Sequence, residues 1–169
     1  MNIQKKYVIL LAVAAVIICL DQASKLYIHT QFDLGESVSV IRNYFNITYV
    51  RNTGAAFGLL AKSQETFRKI FFLTMPPVAL VIIVIILRGV PNTDKWQILA
   101  LSLVFGGAIG NYIDRLRFGY VVDFLDVHYR SVYAWPAFNV ADSSIVSGVG
   151  ILLLLMFNQW REEKRQPQR

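Results

Sequence analysis

Residues 70–87 read IFFLTMPPVALVIIVIIL, eighteen residues without a single charge. As a helix rising 1.5 Å per residue, a run of that length covers about 27 Å, close to the roughly 30 Å hydrocarbon core of a bilayer. Pro76 and Pro77 lie inside it. In a soluble helix they would mark a break. In a membrane helix they read as a kink, because neighbouring groups can satisfy the backbone carbonyls that proline leaves without a donor. This stretch places the chain among integral membrane proteins.

The composition agrees. The 169 residues are 55% hydrophobic and only 17% charged, with a mean hydropathy of +0.46; a soluble domain has about 25% charged residues. These figures exclude disorder and collagen. The net charge of +6 is spread along the chain, and many basic residues flank apolar runs, so no nucleic-acid partner is expected. One cysteine, Cys19, excludes an internal disulfide and a cysteine-only metal site.

Three further runs complete the membrane set. Tyr7 to Leu20 is uncharged but covers only about 21 Å as a helix, so that span continues through Asp21 and Lys25 to about residue 28. The others are 96–113 and 143–160. The first run also resembles a signal peptide, with Lys5 and Lys6 ahead of it and Ala12-Val13-Ala14 as a cleavage-like site. That site lies in the middle of the run, however, and bulky Ile18 precedes Cys19 where a lipobox wants a small residue; a retained anchor is expected. Orientation follows basic-residue density. Lys5, Lys6, Arg88, Lys95, Arg161, Lys164, Arg165 and Arg169 fall within about 26 residues on one side, against nine basic residues in about 70 on the other. Both termini are therefore expected in the cytoplasm, with long outer loops over 29–69 and 114–142. In the first loop, Val38–Ile41 and Phe45–Val50 have strand composition, followed by a turn signal at Asn52-Thr53-Gly54. The expected fold is an all-α integral membrane protein: four transmembrane helices with a small β-rich extracytoplasmic subdomain in the first outer loop, forming one membrane-embedded domain, 1–169.

Polar residues gather at one end of these runs. Asp21 and Lys25 close the first span, with the i,i+4 spacing of a helix ion pair. Asp114 and Arg115 close the third, near Arg117. Asp142 opens the fourth, and Asp123 lies in the loop between. The first four read as interfacial salt bridges or snorkelling anchors. Asp123 and Asp142 differ in having no cation close in sequence. Singly, Asp123 reads as a turn residue and Asp142 as a helix N-cap. As a pair near an apolar medium they would resist double ionisation and share a proton, the arrangement in which one carboxylate activates water and the other protonates a leaving group.

Other chemistries find less support. His29 and His128 lack metal-ligand spacing and read as surface or interfacial residues. Ser143, Ser144 and Ser147 have no histidine nearby in sequence, and no P-loop is present. Gly106 with Gly110, and Ser144 with Gly148, are small-xxx-small pairs that read as close helix packing, which would draw Asp114 towards Asp142. Aromatic residues between Tyr129 and Phe138 read as an interfacial belt.

Five blocks in order, Asp21-Gln22-Ala23-Ser24-Lys25, Asn52-Thr53-Gly54-Ala55-Ala56-Phe57, the glycine-rich stretch from Gly106 to Arg115, Val121-Val122-Asp123-Phe124 and Phe138-Asn139-Val140-Ala141-Asp142-Ser143, closely resemble the bacterial lipoprotein signal peptidase (signal peptidase II) family over essentially the whole chain. The resemblance implies a four-span aspartyl endopeptidase of the bacterial inner membrane, active near the outer leaflet. Its substrate would be a diacylglyceryl-modified prolipoprotein, cut just before the lipidated cysteine. It also implies Asp123 and Asp142 as the catalytic pair, Asn52, Gly54, Asn111, Arg115, Asn139 and Ala141 as supporting or substrate-binding residues, and Asp21 with Lys25 as a structural pair. No metal or organic cofactor is implied; membrane lipid and the substrate are the expected partners. The alternative is a small proton-coupled transporter, which would need polar residues through the middle of its spans; Val78–Leu87 and Ile151–Phe157 are uniformly apolar. A non-catalytic scaffold would have no need of two cation-free aspartates at one leaflet.

Overall fold

The computed structural model describes residues 4–54, 60, 63–130 and 132–165; Ala55, Ala56, Phe57 and Arg169, used in the sequence reading, lie outside them. The elements run α1 (Lys5–Gln31), β1 (Ser37–Ile41), β2 (Phe45–Asn52), α2 (Glu65–Gly89), α3 (Lys95–Phe118), β3 (Val121–Tyr129), β4 (Tyr133–Ala134) and α4 (Val140–Arg165). All four helices are long and apolar enough to cross a membrane. Each extends beyond its expected apolar run. Several added turns carry polar residues with partners inside the protein, among them Lys6, Asp114 and Arg115, whereas the last turn of α4 is exposed.

Apolar side chains such as Leu11, Val81, Ile85, Leu153 and Leu154 are exposed, as expected where lipid, not water, is the neighbour. Burial of apolar area therefore gives little drive for these helices to associate, and close packing has to do so. α3 is the central helix, packed on α1, α4 and α2. A Cβ at Gly106 would lie 3.0 Å from the Ala14 Cα, one at Gly107 only 2.5 Å from the Ala141 carbonyl oxygen, and one at Gly148 only 2.6 Å from the Ala100 carbonyl oxygen. The glycines thus work as packing residues, but not along one seam. Gly106 faces α1, whereas Gly107 meets α4, and Gly110 approaches both Asp21 and Ala141.

The expected small sheet is present and extends beyond the first loop. Its four strands lie in the order β1-β2-β3-β4, each neighbouring pair antiparallel. The first long loop supplies only half of it; β3 and β4 come from the second. Asp123 is therefore a strand residue and not a turn residue. The physical reason lies in β2, which has two edges of backbone donors and acceptors to satisfy; β1 covers one and β3 the other. Val122 and Phe124 of β3 pack with Tyr49 of β2 and Ile28 of α1, fixing the sheet to the end of α1. At the other end of the bundle, Leu10, Ile83, Leu87, Val90, Ile98 and Leu101 form a second apolar cluster.

Candidate active site

The sheet and the start of α4 bring Asp123 and Asp142 to the same place. In the β2–β3 ladder Asn52 stands opposite Val121, and Asp123 opposite Val50. Asn52 and Asp123 are therefore diagonal neighbours on one face, and the Asn52 Nδ2 donates to Asp123 Oδ2 at 2.9 Å. Asn139 Nδ2 donates to the other oxygen, Oδ1, at 2.7 Å.

Asn139 also begins α4. Its Oδ1 accepts from the Asp142 N–H at 2.9 Å, while its own N–H donates to Asp142 Oδ2 at 3.3 Å. This is a reciprocal capping box, so the N-cap is Asn139 and not Asp142. The Asn-x-x-Asp spacing of residues 139–142 was the signal for it. One residue thereby touches both carboxylates: Asp123 through its side chain and Asp142 through its backbone. Asn111 of α3 completes the surround, donating from Nδ2 to Asp142 Oδ1 at 2.7 Å.

The orientation of each asparagine amide follows from its partners. Asn52 Oδ1 accepts from the Gly54 N–H at 2.9 Å, Asn111 Oδ1 from Lys25 Nζ at 2.9 Å, and Asn139 Oδ1 from the Asp142 N–H. All three donors lack acceptor capacity, so each amide must turn its NH₂ towards a carboxylate. Asp123 is buried, 2% exposed, and its pKa is pushed up to about 7, first by loss of water and then by the charge of Asp142; the Asn52 and Asn139 donors and the Lys25 charge pull the other way. A proton on the pair is thus retained into the neutral range.

Beside the pair lies a second buried cluster. Lys25 Nζ is 2.9 Å from Asp21 Oδ2 and 3.2 Å from Asp114 Oδ2, with all three side chains at most 3% exposed. Asp21 and Lys25 do pair as spaced, but they and Asp114 are core residues, not interfacial anchors, and Asp114 turns to Lys25 instead of its neighbour Arg115. Both acids also accept from backbone N–H groups. Asp21 Oδ1 accepts from the Ala141 N–H at 2.9 Å, and Asp114 Oδ2 from the Val122 N–H at 3.0 Å. The cluster thus joins α1, α3, α4 and β3, and its Lys25 reaches Asp142 through Asn111. Gln22, which the sequence reading assigned no role, donates to Asp114 Oδ1 at 3.0 Å and to the Gly110 carbonyl at 3.1 Å.

Arg115 points elsewhere. Its Nη2 donates to the Gly54 carbonyl at 2.7 Å, and its guanidinium lies 3.8 Å from the ring centre of Phe72 on α2. It ties the turn after β2 to α2. Ala141 contributes its N–H and its small size beneath Gly110. His29 and His128 are apart from this site. His29 is half-buried, its Nδ1 2.6 Å from the Tyr49 hydroxyl, and His128 lies on the sheet near Asp126 at 3.6 Å. Among the described residues no group of three or more histidine, cysteine or acidic side chains could hold a metal ion.

Residues 13–158 match the family model for signal peptidase (SPase) II. The chain is 49% identical over 154 residues to a lipoprotein signal peptidase of Syntrophotalea carbinolica, covering 91% of this chain and 92% of that one. It is 43% identical over 160 residues to one from Syntrophus aciditrophicus, covering 95% and 99%. A solved bacterial membrane enzyme, determined by the in meso method, superposes with a TM-score of 0.83 at 32% identity, covering 95% of this chain and 94% of that one. With four membrane-spanning helices and this match along nearly its whole length, the chain belongs to the signal peptidase II family of multi-pass bacterial membrane peptidases.

Proposed function

We propose that the protein removes signal peptides from diacylglyceryl-modified prolipoproteins, cutting just before the lipidated cysteine, and that it does so as an aspartic endopeptidase through Asp123 and Asp142. The observation that carries this reading is the carboxylate pair, Asp123 buried and Asp142 half-buried, held from separate elements by three oriented amides, with Asn139 touching both. With one proton on the pair, the ionised carboxylate accepts a proton from water as its oxygen attacks the scissile carbonyl carbon. The other carboxyl gives its proton to the departing amide nitrogen as the C–N bond breaks. The products are a new carboxyl group and a free amine, and the pair again holds one proton.

The remaining residues support this chemistry. Asn52, Asn111 and Asn139 hold the carboxylates in place, and Arg115 and Gly54 fix the turn above them. α2 packs chiefly on α3, and in this reading apolar residues of α2, α3 and α4 line the lateral approach from the bilayer. Both termini lie in the cytoplasm and the site faces the outer leaflet; reporter fusions near Asn92 and Arg165 should read cytoplasmic, and those near Gln64 and Arg130 external.

Lipid on the substrate acts mainly by positioning. Each buried methylene adds about 0.8 kcal/mol to membrane partitioning, but the bilayer already supplies that energy. What the enzyme gains is a scissile bond held at a fixed depth, where an error of about 1 Å costs roughly a hundredfold in rate. The direct test is incubation of purified protein with modified and unmodified prolipoprotein at equal membrane concentration, followed by mass spectrometry. Cleavage before the modified cysteine is expected, with the unmodified substrate cut very poorly. Equal rates would remove lipid-directed positioning, and no cleavage of either would remove the peptidase reading.

A further inference from the structure

The proline pair in α2 leaves a chemical gap. Pro76 and Pro77 lie inside the helix and have no N–H, so the carbonyls four residues earlier, on Phe72 and Leu73, lose their helical donors. In hydrocarbon such a carbonyl cannot turn to water. The Tyr112 hydroxyl of α3 donates to the Leu73 carbonyl at 3.1 Å, supplying from a neighbouring helix the bond that Pro77 cannot make. Leu73 adjoins Phe72, whose ring carries Arg115 at 3.8 Å. Arg115 holds the Gly54 carbonyl, and the Gly54 N–H holds Asn52, which donates to Asp123. Phe72 is buried, whereas Phe67, Ile70, Leu73 and Met75 on the same part of α2 are exposed.

We propose that Tyr112 is a positioning residue of the substrate groove: its hydroxyl replaces the helix hydrogen bond lost at Pro77 and thereby sets the α2 wall, with Phe72 under Arg115, against which the substrate segment lies. The inference rests on the peptidase reading above. It is specific to one carbonyl. A donor restored at residue 77 would reach Leu73, whereas a donor restored at residue 76 would reach Phe72 and leave Leu73 dependent on Tyr112.

The test is a mutant cycle on the full chain in detergent or nanodiscs, with diacylglyceryl-modified prolipoprotein as substrate. Tyr112→Phe removes only the hydroxyl and should lower kcat/KM about threefold to tenfold, the range of one hydrogen bond between membrane helices. The loss should sit in KM, because Asp123 and Asp142 are untouched. Pro77→Ala alone should stay within about twofold of wild type, and in its background Tyr112→Phe should cost nothing further. Pro76→Ala should give no such rescue. Pro77→Leu serves as a second restoring variant if Pro77→Ala is poorly assembled. An unchanged Tyr112→Phe enzyme, failure of both residue-77 variants to rescue it, or equal rescue from residue 76 would each overturn the proposal. Failure of wild type to cleave the substrate would instead overturn the peptidase reading, so the two failures are distinguishable.

Discussion

Two buried lysines mark the two ends of the bundle and are used in opposite ways. Lys6, 4% exposed, and Lys25, 2% exposed, both lie on α1. Lys6 Nζ donates to the carbonyls of Arg88 and Val90, each at 2.8 Å. These lie at the end of α2, where the last carbonyls have no helical donor and the helix dipole favours a cation. Among the described residues Lys6 has no carboxylate partner. Lys25 sits between two carboxylates and an asparagine oxygen. One end uses a cation to finish a helix; the other uses it to hold together the surround of Asp123 and Asp142. Burial of a charge is therefore no sign of function in itself. What its partners go on to touch is the sign.

The largest effect should appear at the carboxylate pair. Asp123→Asn and Asp142→Asn should each lower cleavage of modified substrate by at least about a thousandfold while the protein still assembles, because an amide cannot exchange the required protons. The double variant should be little worse than either single one, since the two act as a unit. Near-normal turnover in either single variant would place the chemistry elsewhere.

The lysine comparison itself is tested next. Lys25→Met would leave Asp21 and Asp114 buried without a cation and should cost about 3–5 kcal/mol of stability, with cleavage lost along with it. Lys6→Met leaves two carbonyls without a charged donor and should cost about 1–3 kcal/mol, with activity per folded molecule retained. Thermal unfolding in detergent, read beside cleavage rates, separates the two. Equal losses of specific activity would break the distinction between the ends.

A smaller effect should be seen in pH dependence. The Asp123 pKa is raised in the folded protein, to about 7, so the native state holds this proton more tightly than the unfolded chain does. The resulting stabilisation is complete below the unfolded value, near 4, and is lost as pH rises through 7. Wild type should therefore lose stability between pH 5 and pH 8 relative to Asp123→Asn, and its cleavage rate should fall on the alkaline side of 7. Identical pH dependence of stability in the two proteins would contradict the burial assigned to Asp123.

Hydropathy and charge density were enough to find the four helices, because a bilayer demands about twenty apolar residues wherever the chain crosses it. The aspartates, too, were visible, as charges gathered at the same ends of separate runs, and the family motifs named their neighbours. Pairings between distant residues were not visible. Nothing local in Asp114-Arg115 says that Asp114 turns to Lys25 on another helix, or that Arg115 turns to the Gly54 carbonyl. Nor could strand composition in the first loop reveal that β2 completes its second edge with β3. Local sequence determines which segments enter the membrane and which residues can carry charge. Which carboxylate meets which donor depends on how closely helices approach at Gly107 and Gly110 and on the register of β2 against β3. Those are contacts between segments far apart in the chain, so only the tertiary structure decided them.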